Sequence, residues 1–269
     1  MKEDYILGNR DSEIERLEMQ ATLFEPLTKQ TLLNVGLKKG MICADIGCGS
    51  GSVSRLIAGM VGRTGRVTGI DVDDKYLQHC RSVSTQSNME FVYDNICESR
   101  LDSKEDFDIV YSRFTFQHLK NTQEAVRSMK RLAKKGGTVV IQDLDHDPGS
   151  WLSYPKSEAF NTLRKVYVAL IKRAGGDPLA GRKLYKLLAD ESFDASVECY
   201  SPCILMGHEP YSSLGWQLAQ SIKQQILNHK LQSEEEYAKM CEGLKKLAKN
   251  KGSFVTYARL FSAVGRKRT

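Results

Sequence analysis

The sequence predicts an α/β fold built on a seven-stranded, mostly parallel sheet with helices on both faces. Three observations predict it. Between residues 41 and 143, short apolar runs alternate with segments of helical period, the arrangement of βαβ units with right-handed crossovers. The first run ends in a glycine-rich turn, Asp45-Ile46-Gly47-Cys48-Gly49-Ser50-Gly51. The second ends in an acid, Gly69-Ile70-Asp71. Open α/β sheets bind ligands at the carboxyl ends of their strands, so both features lie where a site belongs.

The elements follow in chain order. From Asp11 to Leu33, Leu17, Ala21 and Phe24 recur at helical spacing, with Leu27, Leu32 and Leu33 after Pro26. Asp11 or Ser12 is the expected N-cap, and Pro26 is expected to break or restart the helix. Met41–Ile46 is an apolar run read as a buried parallel strand. A helix is expected over Ser52–Met60, with Val53, Leu56, Ile57 and Met60 on one face. The next elements are a strand over Arg66–Asp71, a helix over Asp74–Ser84, and strands over Met89–Tyr93 and Phe107–Ser112. A helix over Thr122–Ala133 is closed by Gly136-Gly137, a C-terminal stop signal. A fifth strand spans Thr138–Asp143. Beyond it, helices are expected over Ser157–Arg173 and Arg182–Asp190, then a strand-like stretch over Ser196–Leu205. Helices over Leu214–Asn228 and Glu234–Lys249 follow, the second opened by a Ser233/Glu236 capping box. Ser253–Gly265 reads as strand. The division expected is residues 1–36 as an N-terminal helical cap, 37–145 as the ligand-binding core, and 146–269 as remaining strands with helical, lid-like insertions, all within a single compact domain.

Composition narrows the class. The 269 residues are 41% hydrophobic and 27% charged, ordinary for a globular chain. At this length folding buries about three quarters of the exposable surface. No apolar run approaches the roughly 18 residues that span a bilayer. The opening MKEDYILGNRDSEIERLE lacks the apolar segment of a secretory signal, so a cytoplasmic protein without a membrane partner is expected. The net charge of +6 permits an acidic or nucleic-acid partner, but the basic residues form no long block. The densest cluster, Arg266-Lys267-Arg268, reads as a solvated terminus. Seven cysteines without zinc-site spacing argue against a disulfide framework and against a metal. Cys203 is expected to be a buried thiol.

The glycine turn and the strand-end acid specify a ligand together better than either does alone. Glycine adopts positive φ and lets a ligand approach the backbone. An acid at the end of the second strand can accept hydrogen bonds from both ribose hydroxyls of an adenosine. The dinucleotide pattern is G-x-G-x-x-G, aimed at a pyrophosphate. Here the pattern is G-x-G-x-G preceded by Asp45, a carboxylate that suits a cationic ligand and repels a pyrophosphate.

These residues resemble class I methyltransferases dependent on S-adenosylmethionine (SAM), in the type 11 or UbiE-like small-molecule group. The resemblance rests on ADIGCGSG (44–51), GID (69–71), YDNI (93–96), FDIVYSRF (107–114) and RLAKKGG (131–137), and covers Leu37 to about Asp143. The opening residues and FVTYARLFSAVGRK at the end are similar more weakly. The resemblance implies a Rossmann-like fold, SAM as cofactor and S-adenosylhomocysteine as product. It implies that Gly47, Gly49 and Gly51 line the methionine part of SAM, with Asp45 behind the loop. Asp71 would bind the ribose and Val72 pack on the adenine. Asp94 would accept from the adenine amine, with Asn95 and Ile96 beside it. Ser112 and Arg113 would flank the methyl donor, and Gln20 and Tyr5 would reach the SAM tail. For Gln20 the alternative is an exposed helical residue, and for Tyr5 packing within a lid.

Methyl transfer is an in-line displacement from an already activated sulfonium carbon, so the protein chiefly aligns reactants and excludes water. No general base is universal, and none is assigned; Arg113, His118 and His146 are the weak candidates. The position after the fourth strand reads Ser112-Arg113-Phe114-Thr115, without the prolines of amino-methylating nucleic-acid enzymes. Pro202-Cys203 lies too late in the chain for cytosine C5 chemistry. Asp143, Asp145 and Asp147 alternate as cation ligands can, but read as a solvated turn. Trp151, Tyr154, Tyr167, Tyr211 and Trp216 lie in the inserted segments and suit either an apolar acceptor pocket or ordinary packing. The expected partner is therefore a small-molecule methyl acceptor. The alternatives are RNA or protein methylation, a non-catalytic SAM-binding regulator, and a nicotinamide dehydrogenase.

Overall fold

A computed structural model describes residues 10–101 and 107–268. In chain order it contains α1 (Arg10–Asn34), β1 (Ile42–Ile46), α2 (Ser52–Val61), β2 (Arg66–Asp71), α3 (Asp74–Val83), β3 (Met89–Tyr93), β4 (Phe107–Arg113), α4 (Thr122–Leu132) and β5 (Ala133–Asp145). These are followed by β6 (Ser153–Tyr154), α5 (Glu158–Arg173), α6 (Leu184–Asp190), β7 (Asp194–Tyr200), β8 (Cys203–Leu205), α7 (Leu214–Ser221), α8 (Lys223–Asn228), α9 (Glu234–Ala248), β9 (Phe254–Thr256) and β10 (Arg259–Arg266). The chain forms two compact units. One, the sheet unit, takes Phe24–Asp143, Ala180–Cys199 and the residues from Phe261 on; the other, the helical unit, takes the described residues through Leu23, Leu144–Leu179 and Tyr200–Leu260.

The sheet unit carries the expected seven-stranded sheet, in the order β3-β2-β1-β4-β5-β10-β7. The four pairings from β3 to β5 are parallel. Side chains two apart on a strand share a face, and this period sorts the core into two layers. Ala44, Ile46, Val110, Val139 and Ile141 pack with α4 residues Val126 and Met129 and with Leu184 and Leu188. Cys43, Ile109, Tyr111 and Val140 pack with α2 residues Val53, Ile57 and Val61 and with Leu32. Helix α4 is capped by Asn121, whose side chain accepts the Glu124 N–H. Its far end is closed by Lys267, whose Nζ donates to the carbonyls of Lys130 and Ala133 at 2.8 and 2.6 Å. Lys267 is thus not part of a solvated tail, because a cation at a helix C-terminus satisfies carbonyls that have no partner in the helix.

In the helical unit, α5 packs against α9 and α7. Gly243 of α9 allows that approach, since a Cβ there would lie 2.6 Å from the Ala159 Cβ. The Ser233/Glu236 capping box opens α9 as expected. A small second sheet has the order β6-β9-β8, with both pairings antiparallel.

Several expectations need correcting. Helix α1 runs through Pro26, and residues 11 and 12 are already helical. Proline removes one N–H and crowds the carbonyl four residues back. Burial of Phe24, Thr28 and Leu32 in the sheet unit holds the helix despite that penalty. The stretch 196–205 divides between two sheets, as does 253–265. The helix over 214–228 breaks at the fully buried Ile222 into α7 and α8. Cys203 is exposed, because β8 turns the alternate residue Ile204 inward. Asp143 and Asp145 are buried rather than solvated. The first accepts the Gln117 N–H and the second the Asp147 N–H.

Candidate active site

The site begins with three glycines between β1 and α2, all at positive φ: Gly47 at 69°, Gly49 at 51° and Gly51 at 77°. Their surroundings differ. A Cβ on Gly47 would meet the Thr115 hydroxyl at 2.2 Å, and one on Gly51 would meet the Cys80 sulfur at 2.8 Å. A Cβ on Gly49 would meet nothing within 4 Å. Gly47 and Gly51 thus fit the turn against the protein, and Gly49 presents open space. The N–H groups of Gly47 and Cys48 both donate to the Ile70 carbonyl, at 2.7 and 3.1 Å, which fastens the turn to β2.

Asp71 closes β2. Its Oδ2 accepts the Gly49 N–H at 2.9 Å, and its Oδ1 accepts the Asp73 N–H at 3.0 Å. The Val72 N–H also bonds this carboxylate, and since a carboxylate has about four acceptor positions, one is left over. Burial pushes the Asp71 carboxyl above its ordinary value, partly offset by the backbone N–H of Gly49 and then of Asp73. Next to it, Val72 is 53% exposed, and Tyr93, at the end of the neighbouring β3, is 58% exposed. Two large apolar side chains flank the same strand ends, an apolar surface suited to the face of a flat ring. Tyr93 lies in the YDNI motif without being singled out by it. The structure marks it through its exposure.

Asp45 is buried beneath the turn, where its Oδ2 accepts the Ser54 hydroxyl at 2.6 Å. Burial raises its pKa to about 6, against the Ser54 hydrogen bond and the charge of Arg113, which lower it. Asp94 accepts the Ser99 hydroxyl, and its N–H donates to the Asp71 carbonyl. Asn95 caps the short turn Ile96–Glu98 by accepting the Cys97 N–H, and Ile96 is buried. Ser112 is buried and donates to the Ile46 carbonyl at 2.9 Å. Arg113 donates to the Thr28 hydroxyl at 2.9 Å and lies over the Phe114 ring. Phe114 has a φ of 61°, a left-handed conformation unusual for a bulky residue. His118 ends the 3-10 turn Phe116–His118 and is half-buried.

The remaining candidates lie elsewhere. Tyr5 is outside the described residues. In the helical unit, Gln20 is buried, accepting from Arg16 at 3.0 Å and donating to the Tyr257 hydroxyl at 2.8 Å. It is therefore neither solvent-exposed nor unpartnered. His146 is also in the helical unit, buried among Trp151 and Tyr167, and its Nδ1 accepts the Trp151 indole N–H at 3.2 Å. Among the described residues no group of three or more His, Cys, Asp or Glu side chains is arranged to hold a metal.

An open glycine face, a strand-end carboxylate fixed by backbone N–H groups and an exposed apolar pair fit an adenosyl ligand. The buried carboxylate under the turn suits the cationic end of SAM and opposes a pyrophosphate. This fold and this site define a class I SAM-dependent methyltransferase domain, with SAM as its cofactor and S-adenosylhomocysteine as the product form. Residues 44–141 match the family described as a methyltransferase domain.

The chain is 26% identical over 168 residues to a demethylmenaquinone methyltransferase of Staphylococcus aureus, a match covering 62% of this chain and 66% of that protein. It is 34% identical over 120 residues to a ubiquinone biosynthesis O-methyltransferase of Alkalilimnicola ehrlichii, covering 44% of this chain and 47% of that protein. Its fold is similar, with a TM-score of 0.58 and 18% identity, to a phosphoethanolamine N-methyltransferase of Haemonchus contortus solved with S-adenosylhomocysteine. That likeness covers 97% of this chain and 59% of that one.

Proposed function

We propose that the chain catalyses methyl transfer from SAM to a small organic acceptor, at an oxygen, nitrogen or carbon centre, leaving S-adenosylhomocysteine. The observation that carries this reading is the Asp71 carboxylate at the end of β2, fixed beside the open Gly49 face by the Gly49 and Asp73 N–H groups. SAM bound here supplies a methyl group already activated on a sulfonium. Asp71 would hold the ribose hydroxyls, Val72 and Tyr93 would cover the adenine, and Asp94, Asn95 and Ile96 would border its edge. Gly49 would lie against the amino-acid end, with Gly47 and Gly51 holding the turn in shape and Asp45 placing negative charge beneath it. Ser112 and Arg113 would border the methyl donor. Gln20 and Tyr5 would belong to the N-terminal cap, residues 1–36, of a core at 37–145 and a lid-bearing remainder at 146–269. Arg113, His118 and His146 are the candidates to test for proton transfer.

The coarser support is the methyltransferase domain match and the small-molecule relatives; the acceptor is part of the proposal. Among the described residues no helix is long and apolar enough to cross a membrane. Calorimetry with SAM, S-adenosylhomocysteine and NAD tests the cofactor, and release of S-adenosylhomocysteine over an acceptor panel tests turnover. Binding of NAD in preference to SAM would overturn the reading. Methylation only of RNA or protein, with steep loss of affinity as salt rises, would replace the acceptor class. SAM affinity without turnover over the panel would point to a regulator.

A further inference from the structure

We propose that Thr28 is a positioning residue for the SAM site: its hydroxyl holds the Arg113 guanidinium in place at the end of β4. The proposal rests on the methyltransferase reading only in giving Arg113 a place beside the bound cofactor. Arg113 and Gln142 are partners in the β4–β5 register, and Tyr111, two residues before Arg113, shares its face. Helix α1 brings Thr28 and Thr31 to that face, and β10 brings Ser262. Thr28, Tyr111 and Gln142 are fully buried, and Arg113 is half-buried.

The hydrogen bonds of Gln142 decide which way each group points. Its Nε2 donates to the hydroxyls of Thr31 and Ser262, at 3.0 and 3.1 Å. Its Oε1 faces the other way and accepts from Thr28 at 3.1 Å and from Tyr111. A hydroxyl has one proton and two lone pairs. The Thr28 proton is committed to Gln142, so its lone pairs are left to accept, and Arg113 Nη1 donates to them at 2.9 Å. A guanidinium only donates, so this polarity is the one that can hold it. One helical turn earlier, Phe24 meets the Phe114 ring edge-on with centroids 5.0 Å apart, and Arg113 lies over that ring at 5.3 Å. Phe24 and Thr28, four apart on α1, thus grip one guanidinium from two sides. Valine fills nearly the same volume as threonine, so packing alone does not call for a hydroxyl here.

The grip acts on charge. Asp45, beneath the glycine turn, is met by Ser54 from α2, Asp71 from β2, Arg113 and Tyr111 from β4, and Cys48 from the turn itself. Burial keeps the Tyr111 phenol neutral, and the Cys80 hydrogen bond together with burial keeps the Cys48 thiol neutral. Asp71 opposes a second negative charge, whereas Arg113 favours it. Arg113 is the cation of this group. Holding it still favours the ionised form of Asp45, the form suited to the cationic end of SAM.

The test follows the Asp45 titration in the ligand-free full chain by NMR of its carboxyl carbon, with Asp45→Asn assigning the signal. Thr28→Val leaves Tyr111 on the Gln142 oxygen and releases Arg113. It is expected to raise the Asp45 midpoint by about one pH unit, the scale of losing a nearby unit charge at an effective dielectric of about 20. Thr28→Ser, which keeps the hydroxyl, is expected to retain the wild-type midpoint. Arg113→Met, which removes the charge itself, is expected to give the same rise and serves in place of Thr28→Val if that variant does not fold. SAM affinity of Thr28→Val, read by calorimetry, should fall about fivefold at pH 6 and hardly at all at pH 8. An unchanged midpoint in Thr28→Val or in Arg113→Met would overturn the proposal, as would a Thr28→Ser midpoint raised as far as that of Thr28→Val. A loss of SAM affinity equal at the two pH values would also overturn it, since a packing defect acts at every pH. A raised midpoint in Thr28→Val beside a wild type that binds no SAM would count against the methyltransferase reading and leave the placing of Arg113 standing.

Discussion

The Asp71 carboxylate accepts the Gly49 N–H at 2.9 Å, so the residue proposed to hold the sugar also shapes the glycine turn. Asp71→Ala removes the acceptor for the ribose and releases the turn. The expected loss is at least about 1.5 kcal/mol in SAM affinity, the scale of a charge-assisted hydrogen bond. Isothermal calorimetry on a variant with a native circular dichroism spectrum checks it. Undiminished affinity would remove Asp71 from the site.

The three glycines are expected to separate under alanine substitution. Gly47→Ala forces a Cβ onto the Thr115 hydroxyl at 2.2 Å and holds alanine at a φ of 69°. Left-handed backbone alone costs roughly 1–2 kcal/mol, so the fold should lose about 2 kcal/mol or more in urea unfolding once the clash is added. Gly49→Ala has only the backbone penalty, because its Cβ would point into open space. Its loss should fall mainly on SAM binding. A Gly49→Ala variant with wild-type affinity would show that no ligand approaches this face.

How much of this was legible in the chain can be judged residue by residue. Strands β2 and β3 match their expected bounds, because turn residues and an acid punctuate runs of clear apolar character. The glycine turn and the acid that closes β2 are legible as local structure, because glycine at positive φ and a strand-end carboxylate are set by neighbours close in sequence. Pro26 misleads because a local preference is outweighed by the burial of Phe24 and Leu32. The split of 196–205 is invisible because strand partners, not propensity, decide which sheet receives β7 and which β8. The Glu13, Arg16 and Gln20 row looks like the solvated side of a helix. Only Tyr257, over two hundred residues away, reveals that this polar face is buried.

Asp45 predicts a pH dependence whose sign can be worked out. Its pKa rises from 3.8 to about 6 on folding. Between those values the folded state holds a proton that the unfolded state has released, so this group's contribution to stability falls as pH rises through the window. Asp45→Asn keeps an acceptor for Ser54 and has no such titration. Relative to wild type, the variant is expected to gain stability from pH 4 to pH 7, on the order of 2–3 kcal/mol. Over the same range wild-type SAM affinity should increase and that of the variant should stay flat and lower. Denaturant melts and calorimetry at matched pH check both. Parallel stability curves would show that Asp45 does not titrate in this window.

The Glu13–Arg16 pair gives a stability test independent of catalysis. Both side chains are almost fully buried, and the pair is bidentate. Burial alone would lower the Arg16 pKa, but the hydrogen bond and charge of Glu13 outweigh it and leave it raised. Removing one partner of such a pair strands a buried charge, typically a loss of about 3–5 kcal/mol. Replacing both with apolar groups of similar volume is often neutral. Glu13→Leu should therefore destabilise the chain strongly, whereas Glu13→Leu combined with Arg16→Met should recover most of the loss, as read by urea unfolding. If instead each single change and the double change cost the same, the pair would be acting as packing alone, with its charges exposed to solvent.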